Sequence, residues 1–176
     1  MGDIITGLKI TDAKIYADSR GEFSCRPLNS KWIQENISVN KINVFRGVHL
    51  QGGKKSQSKL VRVLSGKVLD IVIDLRKDSK TYLKIFFIEL NAEKKNEIYI
   101  PAGCGHAFLS LKNNTILQYL IDKPYDPVSE ITIDINSIPE IEEAIKQYVP
   151  SKNRLIISEK DKQGISLDNY LKDYNS

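Results

Sequence analysis

The chain has 176 residues with 41% hydrophobic content, enough for one domain with a substantial core and too few for two independent ones. Its net charge of +4 suits the approach of an anionic small molecule, but no Lys/Arg stripe interleaved with aromatics argues for nucleic acid. No apolar run nears the ~20 residues of a membrane helix, no signal-peptide pattern opens the chain, and Cys25 and Cys104 read as reduced thiols, so a cytoplasmic protein is expected.

In chain order, residues 41–135 read as short strands separated by turn signals: "INVFRGVHL" (42–50), "KLVRVL" (59–64), "KVLDIVIDL" (67–75), "KIFFIEL" (84–90), "NEIYI" (96–100), "HAFLSL" (106–111), "TILQYLI" (115–121) and "EITIDI" (130–135). This spacing predicts an all-β sandwich or barrel. After Pro139, "EIEEAIKQYV" sets Ile141, Ala144, Ile145 and Tyr148 at helical spacing, with Glu early and Lys later as the helix dipole favours. The polar patch "GGKKSQSK" (52–59) lacks the Walker spacing and predicts a solvated loop between strands.

Two turns are expected to close hairpins. At Ser65-Gly66, Val63 would face Val68 and Val61 would face Asp70, so that Lys59, Val61, Val63, Val68, Asp70 and Val72 share one face. Lys59 is then either one half of a buried ion pair or a functional amine. At Asn113-Asn114, Phe108 would face Tyr119 and leave His106 diagonal to it, as a core aromatic cluster or as two groups reaching one ligand. His49 in "RGVHLQ" can be a base, a metal ligand or a core histidine. Arg46, three residues before it, joins the same side only if Gly47 forms a bulge.

"PAGCGHAF" has the form P-x-G-x-x-H and resembles the second motif of the cupin superfamily, whose fold is a jelly-roll barrel. Metal-binding cupins bring two more histidines and a glutamate, whereas this chain has only His49 and His106, so no metal and no cofactor are expected. Taken in order, "DSRGEF" (18–23), "QENIS" (34–38), "NVFRGVHLQ" (43–51), "SKLVRVLSGKVLDIVIDLRKDSKTY" (58–82), "IPAGCGHAFLSL" (100–111), "QYLIDKPYDPVSE" (118–130) and "ISEKD" (157–161) resemble the dTDP-4-dehydrorhamnose 3,5-epimerases. The resemblance implies a cupin-type jelly roll with short C-terminal helices, formed as a single domain over residues 1–176. It also implies a nucleotide-diphosphate sugar substrate, a role in cell-surface polysaccharide synthesis, and a homodimer whose N-terminal strands cross between subunits.

By the same resemblance His49 matches the general base, Tyr119 the acid on the opposite face, Lys59 the group near the enolate, and Asp161 the carboxylate behind the base. Arg20, Arg46, His106, Glu130 and Lys160 match positions that handle the diphosphate or sugar, and Gln34 and Asn36 the segment near the nucleobase. The chemistry suits these residue types. A ketone at sugar carbon 4 acidifies the neighbouring C–H bonds, a histidine can remove such a proton, and a preorganised cation can hold the enolate. The chain departs from the family pattern at Cys25, where a glutamate is usual. It also departs in "GCGHAF", where "GFAHGF" is usual, and in the late tryptophan segments, Trp32 being its only tryptophan. These departures leave open the nucleotide, the sugar and the number of centres inverted. A 3,4-ketoisomerase and a non-catalytic sugar-binding cupin are the competing readings.

Overall fold

The computed structural model describes residues 4–26 and 28–174; the outer ends of the expected 1–176 domain lie outside them. Two five-stranded antiparallel sheets face each other. The first runs β1 (Lys9–Asp12), β9 (Asn96–Ile100), β6 (Lys59–Ser65), β11 (Thr115–Ile121), β4 (Gln34–Asn40). The second runs β12 (Glu130–Thr132), β5 (Phe45–Gln51), β10 (Cys104–Ser110), β7 (Lys67–Asp74), β8 (Ile85–Asn91). A separate hairpin, β2 (Lys14–Asp18) with β3 (Gly21–Cys25), carries largely exposed side chains. Helices α1 (Pro139–Tyr148), α2 (Glu159–Lys162) and α3 (Leu167–Asp173) follow.

Both expected hairpins are corrected. At Ser65-Gly66 and Asn113-Asn114 the chain crosses from one sheet to the other, so β6 pairs with β9 and β11 while β7 pairs with β8 and β10. The physical reason is visible in the strands themselves. "KLVRVL" alternates and leaves Leu64 exposed on the outside, whereas "VLDIVID" is buried on both faces, so the two cannot be neighbours in one sheet with one outer environment. The shared interior face nevertheless forms: Val61 and Val63 from the first sheet meet Val68 and Val72 from the second in one core. Leu69, Ile71 and Ile73 point the other way and pack with Ile141 and Ile145 beneath the helices.

Four N-terminal strands escape the periodicity. In β4 the usual sense is inverted, with Ile37 and Val39 exposed while Asn36, Ser38 and Asn40 turn inward. Helix α1 begins at Pro139 as expected and buries Ile141 and Ile145, but Tyr148 is exposed and Val149 takes its place in the core. The 52–59 loop is a short 3-10 turn over Gly53–Lys55, tied down where Lys123 Nζ donates to the Lys54 carbonyl at 2.9 Å.

At the end of β7, Asp74 is fully buried and gathers Arg76 (2.7 and 2.8 Å), Ser79 (2.5 Å) and Thr81 (2.7 Å), while Arg76 and Thr81 also hold the backbone of Thr6. Burial pushes the Asp74 carboxyl up, but these bonds outweigh it and bring it from the ordinary 3.8 to about 2. A depressed folded value stabilises the fold above the unfolded pKa, and that contribution is lost as pH falls through about 2. Asp74→Asn is therefore expected to cost about 2–3 kcal/mol at pH 7. It should also flatten the loss of stability between pH 4 and pH 2, measured by urea unfolding across that range.

Candidate active site

The pocket lies between the sheets and is walled by strands from both. His49 on β5 and Glu130 on β12 stand on one wall; Lys59 on β6, Tyr119 on β11 and Gln34 and Asn36 on β4 stand on the other, around a cavity of about 230 Å³. The inverted pattern of β4 is explained here, because its polar residues face this cavity. Gln34 donates to Asn36 at 2.8 Å and fixes the pair along the wall.

Gly47 places His49. The register between β10 and β5 advances two residues from His106 to Phe108 while β5 advances three from His49 to Arg46, so the bulge the sequence requires is present. Phe45, Val48 and Leu50 then face the helices, while His49 and the exposed Arg46 both turn toward the first sheet. Only glycine fits: its φ is +121°, and a Cβ would meet Ala107 at 2.6 Å and the His106 carbonyl oxygen at 2.7 Å.

His49 Nε2 lies 2.7 Å from Asp161 Oδ1, whose other oxygen accepts from the Gly47 N–H at 3.3 Å. Asp161 sits in the single turn of α2, with its own N–H donating to the capping Ser158 side chain. Burial raises the Asp161 carboxyl, but His49, Gly47 and Ser158 together bring it below the ordinary carboxylate value. It is thus an anion against the ring, the arrangement that orients an imidazole and fixes which of its nitrogens faces the cavity.

Lys59 donates to the His49 carbonyl at 3.4 Å, and its ammonium lies 6.0 Å from the centre of the Tyr119 ring. Burial pushes its pKa down to about 8 against the pull of Asp70 and Glu130. Burial raises Tyr119, only partly offset by Arg46, so the phenol keeps its proton at neutral pH.

Other expected residues stand at greater distance. His106 is the cross-strand partner of His49 but is buried behind it, 2.9 Å from Asp70, and does not line the cavity; its diagonal relation to Tyr119 is corrected to opposite sheets. With one ring nitrogen of each histidine on a carboxylate, no three His, Cys, Asp or Glu side chains among the described residues converge as a ligand set. Arg46 donates to Asn40 at 2.9 Å beside the cavity. Lys160 pairs with Glu130 at 2.5 Å on the rim. Arg20 is not brought in: it lies at the tip of the exposed β2–β3 hairpin, paired with Asp18, its side chain 88% exposed. Gln51, Gln57 and Tyr125 also line the cavity and were not anticipated. Gln51 was legible, since it is two residues beyond His49 on the same face. Tyr125, between Pro124 and Pro127 in a loop, carried no periodic signal.

Residues 4–169 match the family model of the dTDP-4-dehydrorhamnose 3,5-epimerases. A dTDP-4-dehydrorhamnose 3,5-epimerase of Methanothermobacter thermautotrophicus is 34% identical over 90% of this chain and 88% of its own. The crystal structure of the same enzyme from Elizabethkingia anophelis superposes with a TM-score of 0.84 at 31% identity, covering 96% of each chain. A 3′-monoepimerase from Streptomyces bikiniensis, in complex with dTDP-quinovose, superposes with a TM-score of 0.84 at 25% identity over 96% of this chain and 87% of its own. The protein is an isomerase built on a cupin-type jelly roll. Within that class, the chain belongs to the dTDP-4-dehydrorhamnose 3,5-epimerase family.

Proposed function

We propose that the protein epimerises a nucleotide-linked 4-keto-6-deoxy sugar at carbon 3, carbon 5 or both, with His49 as base and Tyr119 as acid. One observation carries the reading: a histidine backed by a buried carboxylate stands on one sheet, and a tyrosine and a lysine face it from the other. His49 takes the proton from the carbon next to the ketone, and the C–H electron pair moves into the enolate. Lys59 stabilises the oxygen that becomes negative, and Asp161 stabilises the imidazolium. Tyr119 then delivers its proton from the opposite face, and the centre is inverted. Gln34 and Asn36 are proposed to meet the nucleobase, and Arg46, Glu130 and Lys160 the diphosphate and sugar, with His106 acting from behind His49.

We also propose a homodimer, with residues 1–176 forming one jelly-roll unit per subunit. Arg20 does not line the cavity of His49 and Tyr119 in its own chain, and Ile15, Tyr16 and Phe23 on the same hairpin are exposed, which supports a hairpin that reaches a second copy's site.

The test is solvent deuterium uptake into a dTDP-linked 4-keto-6-deoxy sugar followed by NMR. Uptake with inversion is expected; no uptake, or migration of the carbonyl to carbon 3, overturns the reading. Tyr119→Phe separates the two half-steps. It is expected to keep deuterium uptake, because His49 still abstracts and returns a proton on its own face, while inversion falls by ~10²-fold.

A further inference from the structure

Glu130 stands in the wall between the catalytic cavity and a surface hollow that Lys160 also lines. A single oxygen, Oε2, accepts from both Tyr125 Oη at 2.6 Å and Lys160 Nζ at 2.5 Å. The two donors differ in what they answer to. Tyr125 belongs to the loop before β12, whereas Lys160 is on α2, with its side chain 56% exposed. A pair with one partner so exposed contributes about 0–1 kcal/mol, so a diphosphate carrying two or more charges outcompetes the carboxylate for the ammonium.

Glu130 and Lys59 line the same cavity from its two walls, so the charge of Glu130 also reaches inward; with Asp70 it favours the protonated form of Lys59. Of the remaining groups around Lys59, His49 offers its carbonyl oxygen, Tyr119 its ring, and His106 stands behind, hydrogen-bonded to Asp70. Asp70 is engaged by His106 and lies in the core, so Glu130 is the carboxylate whose partner can be exchanged from solvent.

We propose that Glu130 is a positioning residue that relays occupancy of the diphosphate position to Lys59. An anionic diphosphate at the mouth takes Lys160 from Glu130, and the carboxylate, still held by Tyr125, lends its undivided charge to Lys59. Lys59 is then held fully protonated when a substrate with a diphosphate is present, when an enolate oxygen needs it. This rests on the reading of the pocket given above but adds a coupling between its two ends.

The experiment follows the Lys59 amine by ¹⁵N NMR across pH, with millimolar inorganic diphosphate as the probe and calorimetry reporting its binding. In the wild type, diphosphate is expected to raise the Lys59 midpoint above about 8. In Glu130→Gln the rise should be less than half as large, which separates the relay from the direct field of the bound anion. In Lys160→Met the midpoint should already be raised without diphosphate, and Lys160→Arg should restore the wild-type response. A merely structural Lys160 would not move the Lys59 midpoint in this way. Equal rises in wild type and Glu130→Gln, an unmoved midpoint in Lys160→Met, or failure of diphosphate to bind overturns the relay. Deuterium uptake into the keto sugar is read separately, so the relay can fail while the epimerase reading stands, and the reverse.

Discussion

His49→Asn is expected to lower epimerisation by ~10³-fold and to abolish deuterium uptake into the sugar, while leaving the unfolding free energy from urea titration within about 1 kcal/mol of wild type. The catalytic loss follows from chemistry: an amide has no basic nitrogen, and no other imidazole reaches the cavity, since His106 is buried against Asp70. The small structural cost follows from position. The His49 side chain is 30% exposed on a polar wall, and it contributes nothing to either apolar core. Asp161 loses its strongest partner, so its carboxyl should rise, and the part of the acid-induced loss of stability that this group causes should be smaller in the variant than in wild type. Retained uptake in this variant would remove His49 from the chemistry.

Gly47→Ala is expected to cost about 3–5 kcal/mol and to take the activity with it. A methyl group here meets the Ala107 side chain at 2.6 Å and its backbone at 2.7 Å, within the centre of the second sheet, at a φ of +121° that L residues rarely adopt. Neither neighbour is a flexible tip that can swing aside. If the strand answers by flattening the bulge, His49 and Arg46 part to opposite faces, so the surviving folded fraction should also be inactive. Urea unfolding and the deuterium assay on the same preparation check the two effects. A variant as stable and active as wild type would mean the bulge is not required.

The fold and the site were legible in different ways. Strand positions from β5 to β11 follow from apolar periodicity, and so does the inward face of Val61, Val63, Val68 and Val72, whereas the pairing does not. Pairing is hidden because a tight turn has the same sequence signature whether it closes a hairpin or turns a corner between sheets. The difference lay in the continuous burial of β7 against the alternation of β6. The β4 strand was invisible for a functional reason, since a strand that lines a polar pocket turns its amides inward and its isoleucine and valine outward. The approach of Asp161 to His49 was implied by the family resemblance alone, as no local pattern connects a C-terminal turn to a strand so far back in the chain.

That separation has a bearing on how the enzyme comes into being. His49 and Asp161 are 112 positions apart, and the carboxylate rides on a four-residue turn that follows the twelve strands of the described residues. During synthesis the β-rich body can assemble before that turn leaves the ribosome. The walls of the pocket thus precede the partner of the histidine in the chain, and Ile165 and Tyr170, later still, close the core beneath the second sheet, so truncation ahead of α2 would remove the carboxylate together with part of that core.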